Sequence, residues 1–568
     1  MIFAEQHFHG VKHWVQRIFP VAVLSFLVSA CGGSGGGGGD GSVSGGGGDG
    51  SVSGVGMPTS TSDTGSAPVS MTLSPGGSSR TVNTNCPFSQ ALGAARNDGL
   101  RIEQVRWLQT VSLDPNQPDT RLAGGKTVKL RVDLLSNITR AAPAIRSVRV
   151  YDPATSTCTS YSLSGPNTIP KSISMDSLSN AFVATLPADK IKPGMGVSIV
   201  FDDSTGRSAG EADSTFRYFL PSVAPAQTET VRIIPLTILG ITASVSNANL
   251  AAVLTRLHPI SSVNVMTSSA LPITSISLSN LLSSGVASIA SMTSVLDEVD
   301  NYCAQLNGSQ RTSRTAPKCI AFFPDTITFR PSSGSGQVVG LAYVGGISMI
   351  AQQVLNTDDN TITSPYASRH WMNYRALTLA HEYGHLLNMD HASCGGATGL
   401  DPRLYSDGRL NGGGGWDEVR DAYFSSTRLD ANNQPQFADL MSYCGKEWAS
   451  DRGYLAELNY RSASSDVSAR IEDAPQQWIK ISINGGVWQA RPVAFAPATL
   501  KLSNLDVVVS SEQEPVVVPL YSAVLSDMPE QAQGPYYVNL GSLQVTQLQI
   551  RKAGSIVNTW SASTGFKN

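Results

Sequence analysis

The stretch LAHEYGHLLNMDHASC, Leu379–Cys394, holds His381, His385 and His391. The chain has eight histidines, three of them within its first 13 residues, so three of the other five crowd into eleven positions. MNYRALTLAHEYGHLL, 372–387, is rich in Leu and Ala and predicts a helix. Residues four apart share a helical face, so His381 and His385 point the same way. Two imidazoles at that spacing can grip one zinc ion from a single turn. Glu382 sits one position on, too far round to ligate, and can face a zinc-held water as general base.

A catalytic zinc takes three protein ligands and keeps a fourth position for water. His391 follows His385 by six residues. A continuing helix would carry it to another face and about 9 Å along the axis. The chain must therefore break and turn back, which a residue in left-handed geometry allows. Gly suits that geometry best and Asn next best, so Asn388 is the expected turning point. A glutamate as third ligand is the competing arrangement. The first Glu after His385 is Glu418, in a Gly-rich stretch that reads as loop. His370 reads as a surface or supporting residue, and Asp390, beside His391, could orient a ligand.

HEYGHLLNMDH resembles the zinc signature of the metzincin peptidases, HExxHxxGxxH, with Asn388 at the Gly position. ADLMSYC resembles the Met-turn those enzymes place beneath the metal, with Met441 as its methionine. Some metzincin groups carry a tyrosine two residues after that Met, where it binds zinc or stabilises the transition state. The resemblance gives Tyr443 that role. GLAYVGG, 340–346, resembles the edge strand along which metzincins align substrate. The runs HASCGGATGLDPRLYSDGR and DLMSYCGKEWASD look closest to a bacterial branch that includes secreted enzymes cutting mucin-like glycoproteins. The resemblance covers about Val231 to Tyr460. It implies zinc held by His381, His385 and His391, with Glu382 as base. Cys394 and Cys444 each follow a wall residue of that site by three positions, so a Cys394–Cys444 disulfide is expected. Cys303–Cys319 would then be a local bridge, and Cys86–Cys158 would staple the N-terminal region.

Outward from this stretch, VRIIPLTI, CIAFFP and GLAYVGG read as strands. NANLAAVLTRL and ASMTSVLDEVDNYCAQL read as helices, and Ser450 is a candidate N-cap for a helix ending near Tyr460. Strands alternating with helices indicate a mixed α/β sheet over 228–462. Upstream, KTVKLRVDL, IRSVRVY, AFVATLP and GVSIVFDD alternate apolar with polar residues, as short strands of a sandwich do. Downstream, WIKISINGGVW, LDVVVS, EPVVVPLY and LQVTQLQI suggest a second one, with a hairpin at Asn484-Gly485-Gly486.

The first 30 residues read as a targeting segment. Lys12 and Arg17 precede the apolar run Phe19–Ala30, which is too short to span a bilayer. Val28-Ser29-Ala30-Cys31 resembles a bacterial lipobox, which implies cleavage before Cys31 and lipid on it. The unit GGGGDGSVSG follows twice, and such composition cannot bury apolar surface, so it reads as a flexible tether. The six further cysteines are an even number, as in an exported chain with disulfides. The chain has 568 residues, a net charge of -3 and no basic block, which points away from nucleic acid.

The expected architecture is thus multidomain: an α+β metzincin-like catalytic domain flanked by N-terminal and C-terminal β-sandwich-like domains. The segments are a lipoprotein signal peptide (1–30), a Gly/Ser-rich tether (31–78), a β-sandwich-like accessory domain (79–227), the zinc peptidase domain (228–462) and a C-terminal β domain (463–568). The expected function is zinc-dependent hydrolysis of peptide bonds in extracellular protein or glycoprotein. The enzyme would be a monomer held by its lipid to the cell envelope, at the outer membrane of a Gram-negative bacterium. The alternative is a surface adhesion or glycan-binding lipoprotein on a catalytically inactive peptidase scaffold.

Overall fold

The computed structural model describes residues 100–202, 216–274, 286–308, 316–330, 337–353, 372–430, 432–462, 477–484, 487–493, 500–510, 514–526, 535–541, 543 and 545–561, with three two-residue strands before them. The signal segment, Cys31, the tether, Cys86 and His370 fall outside the described residues. Gln6–Asn83 form a unit of their own, in which Ser70–Met71 and Arg80–Thr81 pair antiparallel.

Period-two alternation in the N-terminal region builds two antiparallel sheets. One has the order Phe182–Leu186, Val128–Leu135, Arg101–Gln109, Val111–Leu113, Gly415–Asp417, Ala422–Phe424; the other runs Phe216–Phe219, Gly196–Asp202, Ile145–Asp152, Thr157–Ser162. Their apolar positions, Val128, Leu130, Val132 and Leu134 against Val148, Val150, Val197 and Ile199, share one core. The last two strands of the first sheet come from the Gly-rich stretch after the histidines, which reads as loop in sequence. They matter for the polar face. Alternation predicts Lys129, Arg131 and Asp133 in water, yet all three are buried. Arg131 pairs with Asp133 at 2.9 Å and lies over the Tyr423 ring, and Lys129 pairs with Asp421.

The middle region is a mixed seven-stranded sheet whose main strands run in the order Ser262–Thr267, Thr228–Ile238, Lys318–Phe323, Ser348–Gln352, Gly340–Ala342, with the two-residue strands Ile241–Thr242 and Leu271–Pro272 pairing with the end of Thr228–Ile238. The first four main strands are parallel and the last is antiparallel. The inner strands Lys318–Phe323 and Ser348–Gln352 are buried on both faces, which is why they read as apolar runs, whereas Ser262–Thr267 at the sheet's margin has no buried residue. Ile233, Ile320, Phe322 and Met349 face the helices Asn247–Leu257 and Tyr374–Leu386. Ile234, Ala321, Phe323 and Ile350 face the helix Ile289–Asn307. The first of these cores runs on without a break into the N-terminal sheets, so the expected boundary near residue 228 does not separate two hydrophobic cores. Ser450 caps the helix Asp451–Ser462, its Oγ accepting from Gly453 N at 3.0 Å.

The C-terminal region departs from a sandwich. Its described strands form one antiparallel sheet in the order Val487–Val493, Trp478–Asn484, Tyr536–Asn539, Val516–Ala523, Leu500–Ser510, Gln547–Lys552, Ser555–Ser561. A register shift between Leu502 and Asp506 lets the long strand bend. One face then closes its own core around Ile481, Val507, Val509, Val538 and Ile550. Strand spacing alone does not distinguish one curled sheet from two facing ones.

Candidate metal centre

The helix Tyr374–Leu386 begins at Asn373, whose side chain accepts from Arg375 N at 2.9 Å. Every residue from Ala376 to Leu386 is buried, so this helix is a core element that carries polar side chains inward. It ends in paired hydrogen bonds, Met389 N to Gly384 O at 3.1 Å and Asn388 N to His385 O at 2.9 Å. Asn388 has φ 66°. This is a Schellman ending with Asn as the left-handed residue, and it turns the chain back toward the helix face. Arg403 fixes the turn from outside by donating to Asn388 O and pairing with Asp401. Asp401 also accepts from Asp390 N, and its own N–H donates to His391 O at 2.8 Å. Burial pushes the Asp401 carboxyl up, but hydrogen bonds and charge from Arg403 outweigh it and hold the group below its ordinary value.

The three imidazoles meet at one point. His381 Nδ1 lies 2.8 Å from Leu440 O, His385 Nδ1 2.6 Å from Met389 O and His391 Nδ1 2.6 Å from Thr398 O. A carbonyl oxygen can only accept, so each Nδ1 carries the proton and each Nε2 keeps its lone pair. His385 Nε2 and His381 Nε2 are 3.1 Å apart, and one ligand atom from each of the three rings lies within 4.8 Å of the others. The lone pairs of His381 and His385 repel one another unless a cation sits between them, and that of His391, which accepts from the Tyr443 hydroxyl, is the third donor such a cation would take. The donor set and its carbonyl-anchored rings could hold a metal ion.

The floor and far wall come from 438–444. Met441 packs with Met389, Ala392 and Leu404, and its Sδ would lie 2.6 Å from a Cβ at Gly384. Asp439 Oδ1 accepts from Met441 N at 2.8 Å, and burial raises its carboxyl to about 6. Ala392 N donates to Met441 O at 2.9 Å and Tyr443 N to Cys394 O at 3.2 Å, and a Cys394–Cys444 disulfide closes the same junction. Tyr443 therefore reaches the centre, its hydroxyl donating to His391 Nε2 at 2.8 Å. Cys303–Cys319 joins the helix Ile289–Asn307 to the mixed sheet, away from the histidines. Cys158 is disulfide-bonded, while Cys31 and Cys86 lie outside the described residues.

Glu382 lies on the histidine helix and has no exposed surface. Gly340 of the antiparallel edge strand passes so close that a Cβ there would meet Glu382 Cγ at 2.5 Å, so only glycine leaves room for the carboxylate. One contact has no sequence signal. Ser526, from the C-terminal region, donates from Oγ to Glu382 Oε2 at 3.0 Å. The sequence matches no protein-family model, and no curated protein matches it.

Proposed function

We propose that the protein is a zinc-dependent endopeptidase of the metzincin type. The observation that carries this reading is the convergence of three Nε2 lone pairs beside a buried glutamate on the same helix. The order of the mixed sheet, four parallel strands and one antiparallel edge strand beside the histidine helix, also supports it.

His381, His385 and His391 would hold the ion, which when bound supplies a Lewis acid for a peptide carbonyl and acidifies water. The chain's own groups do the rest. Glu382 accepts the proton of the attacking water and passes it to the leaving amine. Tyr443, anchored by the Cys394–Cys444 junction, donates a hydrogen bond to the oxyanion as it forms. The edge strand Gly340–Ala342 offers backbone groups to an extended peptide. The substrates would be extracellular protein or glycoprotein, with the enzyme tethered to the outer membrane through lipid on Cys31. Among the described residues, no helix is long and apolar enough to cross a membrane.

The complete burial of Glu382 under Ser526 favours a second reading, a binding protein on an inactive scaffold. Glu382→Ala separates the two. A peptidase variant should keep one zinc per chain by elemental analysis and lose about 10²–10⁴-fold of its turnover of a denatured protein substrate. Turnover near wild type in that variant removes the mechanism. No turnover by a zinc-loaded wild type, even with the cleft made accessible, favours the binding reading.

A further inference from the structure

The edge strand is already paired. Val344 N donates to Val524 O at 3.1 Å, and Ser526 N donates to Ala342 O at 3.0 Å. Tyr343 and Leu525 form an antiparallel bridge. Three residues of the C-terminal region thus lie along the strand as an added β-strand would. The last of them turns its hydroxyl into the site. Ser526 Oγ accepts from Ala342 N at 2.7 Å and donates its proton to Glu382 Oε2 at 3.0 Å. Ser526 is 1% exposed, and His381, His385 and Glu382 are wholly buried.

We infer that Val524–Ser526 is a built-in pseudosubstrate that holds the chain in a latent state. The inference rests on the peptidase reading for what is inhibited, though the contact itself does not depend on it. A peptide cannot use the edge-strand groups of Ala342 and Val344 while Ser526 and Val524 hold them. The hydrogen bond from Ser526 occupies Glu382 Oε2, so a water must displace that hydroxyl before it can give its proton to this oxygen. The segment follows the strand Val516–Ala523 of a sheet that closes its own core, while Leu525 packs against the core of the mixed sheet, so displacement separates Leu525 from that core and leaves the C-terminal core closed. Beside it, Lys480 donates to Asp297 at 2.5 Å and lies 3.3 Å from the Tyr343 hydroxyl, and this cluster pins the sheet to the edge strand. Activation is then a displacement of the segment. The apparent affinity of the cleft for peptide is lowered by the fraction of molecules in which the segment is seated.

The test uses the full-length, zinc-loaded chain and two variants. Ser526→Pro removes both the N–H and the hydroxyl, and Ser526→Ala removes only the hydroxyl and decides the matter if the proline variant does not fold. The probes are a short peptide hydroxamate, titrated by calorimetry, and hydrogen exchange at the Ala342 and Val344 amides. The expected result is about tenfold or more tighter hydroxamate binding by Ser526→Pro, a smaller gain for Ser526→Ala and faster exchange at Ala342 in both. Hydroxamate affinity and exchange equal to wild type in every folded variant would overturn the inference. Denatured casein then separates the two readings. Tighter binding without cleavage by any form upholds the latch and removes the peptidase, whereas cleavage by the wild type with unchanged affinities does the reverse.

Discussion

Both flanks of the histidine domain are antiparallel β structure, yet they are joined to it in different ways. The N-terminal sheets share a continuous apolar core with the mixed sheet, and one of them takes in the strands Gly415–Asp417 and Ala422–Phe424 from the segment after the histidines. Their junction is sealed by buried polar anchors. Trp448 Nε1 donates to Thr110 O at 2.8 Å, Tyr454 to Gln109 at 3.0 Å, Arg256 to Asp417 at 2.8 Å and Lys126 to His258 O at 2.8 Å. The C-terminal sheet closes a core of its own and meets the domain through the edge strand, the Lys480 cluster and a smaller apolar contact, in which Ala523 and Tyr537 join the second core of the mixed sheet with Trp478, Leu500 and Leu525 packed beside them. A flank with a shared core cannot leave without unfolding its neighbour, whereas a flank with its own core can undock. The fused flank is the one far from the cleft in sequence, and the dockable one carries Ser526.

The strongest way to break this contrast is Trp448→Ala. The side chain is fully buried between Phe424 and the N-terminal sheet, and its loss should cost about 3–5 kcal/mol. Denaturant unfolding followed by exchange in both Val128–Leu135 and Tyr374–Leu386 should show one shared, earlier transition. Survival of either segment on its own would show that the flank is not fused. Next comes Lys480→Met, which leaves Asp297 buried without its cation at a cost of about 3 kcal/mol. Exchange should rise in Trp478–Asn484 and Tyr536–Asn539 and stay unchanged in Val128–Leu135, with part of the loss recovered by adding Asp297→Asn. Equal loss on both sides would erase the distinction between docked and fused.

The mildest test reads pH. Burial lowers the Lys126 ammonium from its ordinary 10.5 to about 7. Between those values the folded chain holds fewer protons than the unfolded one, so stability rises with pH across the window. The slope is up to about 1.4 kcal/mol per pH unit. Lys126→Met should flatten it, as measured by urea midpoints from pH 7 to pH 10. A wild type already flat over that range would mean that the junction at Lys126 is wet.

What could be read in sequence was whatever a local rule governs. The spacing of His381 and His385 calls for a helix, and the return of His391 calls for a left-handed residue, which is Asn388 at φ 66°. The apolar runs at 231–238 and 319–324 require two covered faces, and they have them. What could not be read depends on partners distant in the chain. GRLNGGGGWDE looks like loop because glycine carries no strand signal, yet Gly414 and Gly415 fit close against Phe424 and Trp448 and let the N-terminal sheet extend. Lys129, Arg131 and Asp133 alternate like a solvated face, because nothing local foretells the strands that cover them. Ser526 is one serine among many, and its role exists only through the edge strand and Glu382.

The approach of Met441 to Gly384 reaches beyond this one molecule. With the sulfur 2.6 Å from where a Cβ would stand, the residue before His385 is not a free letter of the motif. An alanine at 384 displaces the Met441 sulfur, the end of a flexible side chain, so drift at 384 is accommodated by a retracted or smaller side chain on the floor. Homologous chains should therefore vary at the two positions together, and that coupled pair is a finer search handle than the histidine spacing alone.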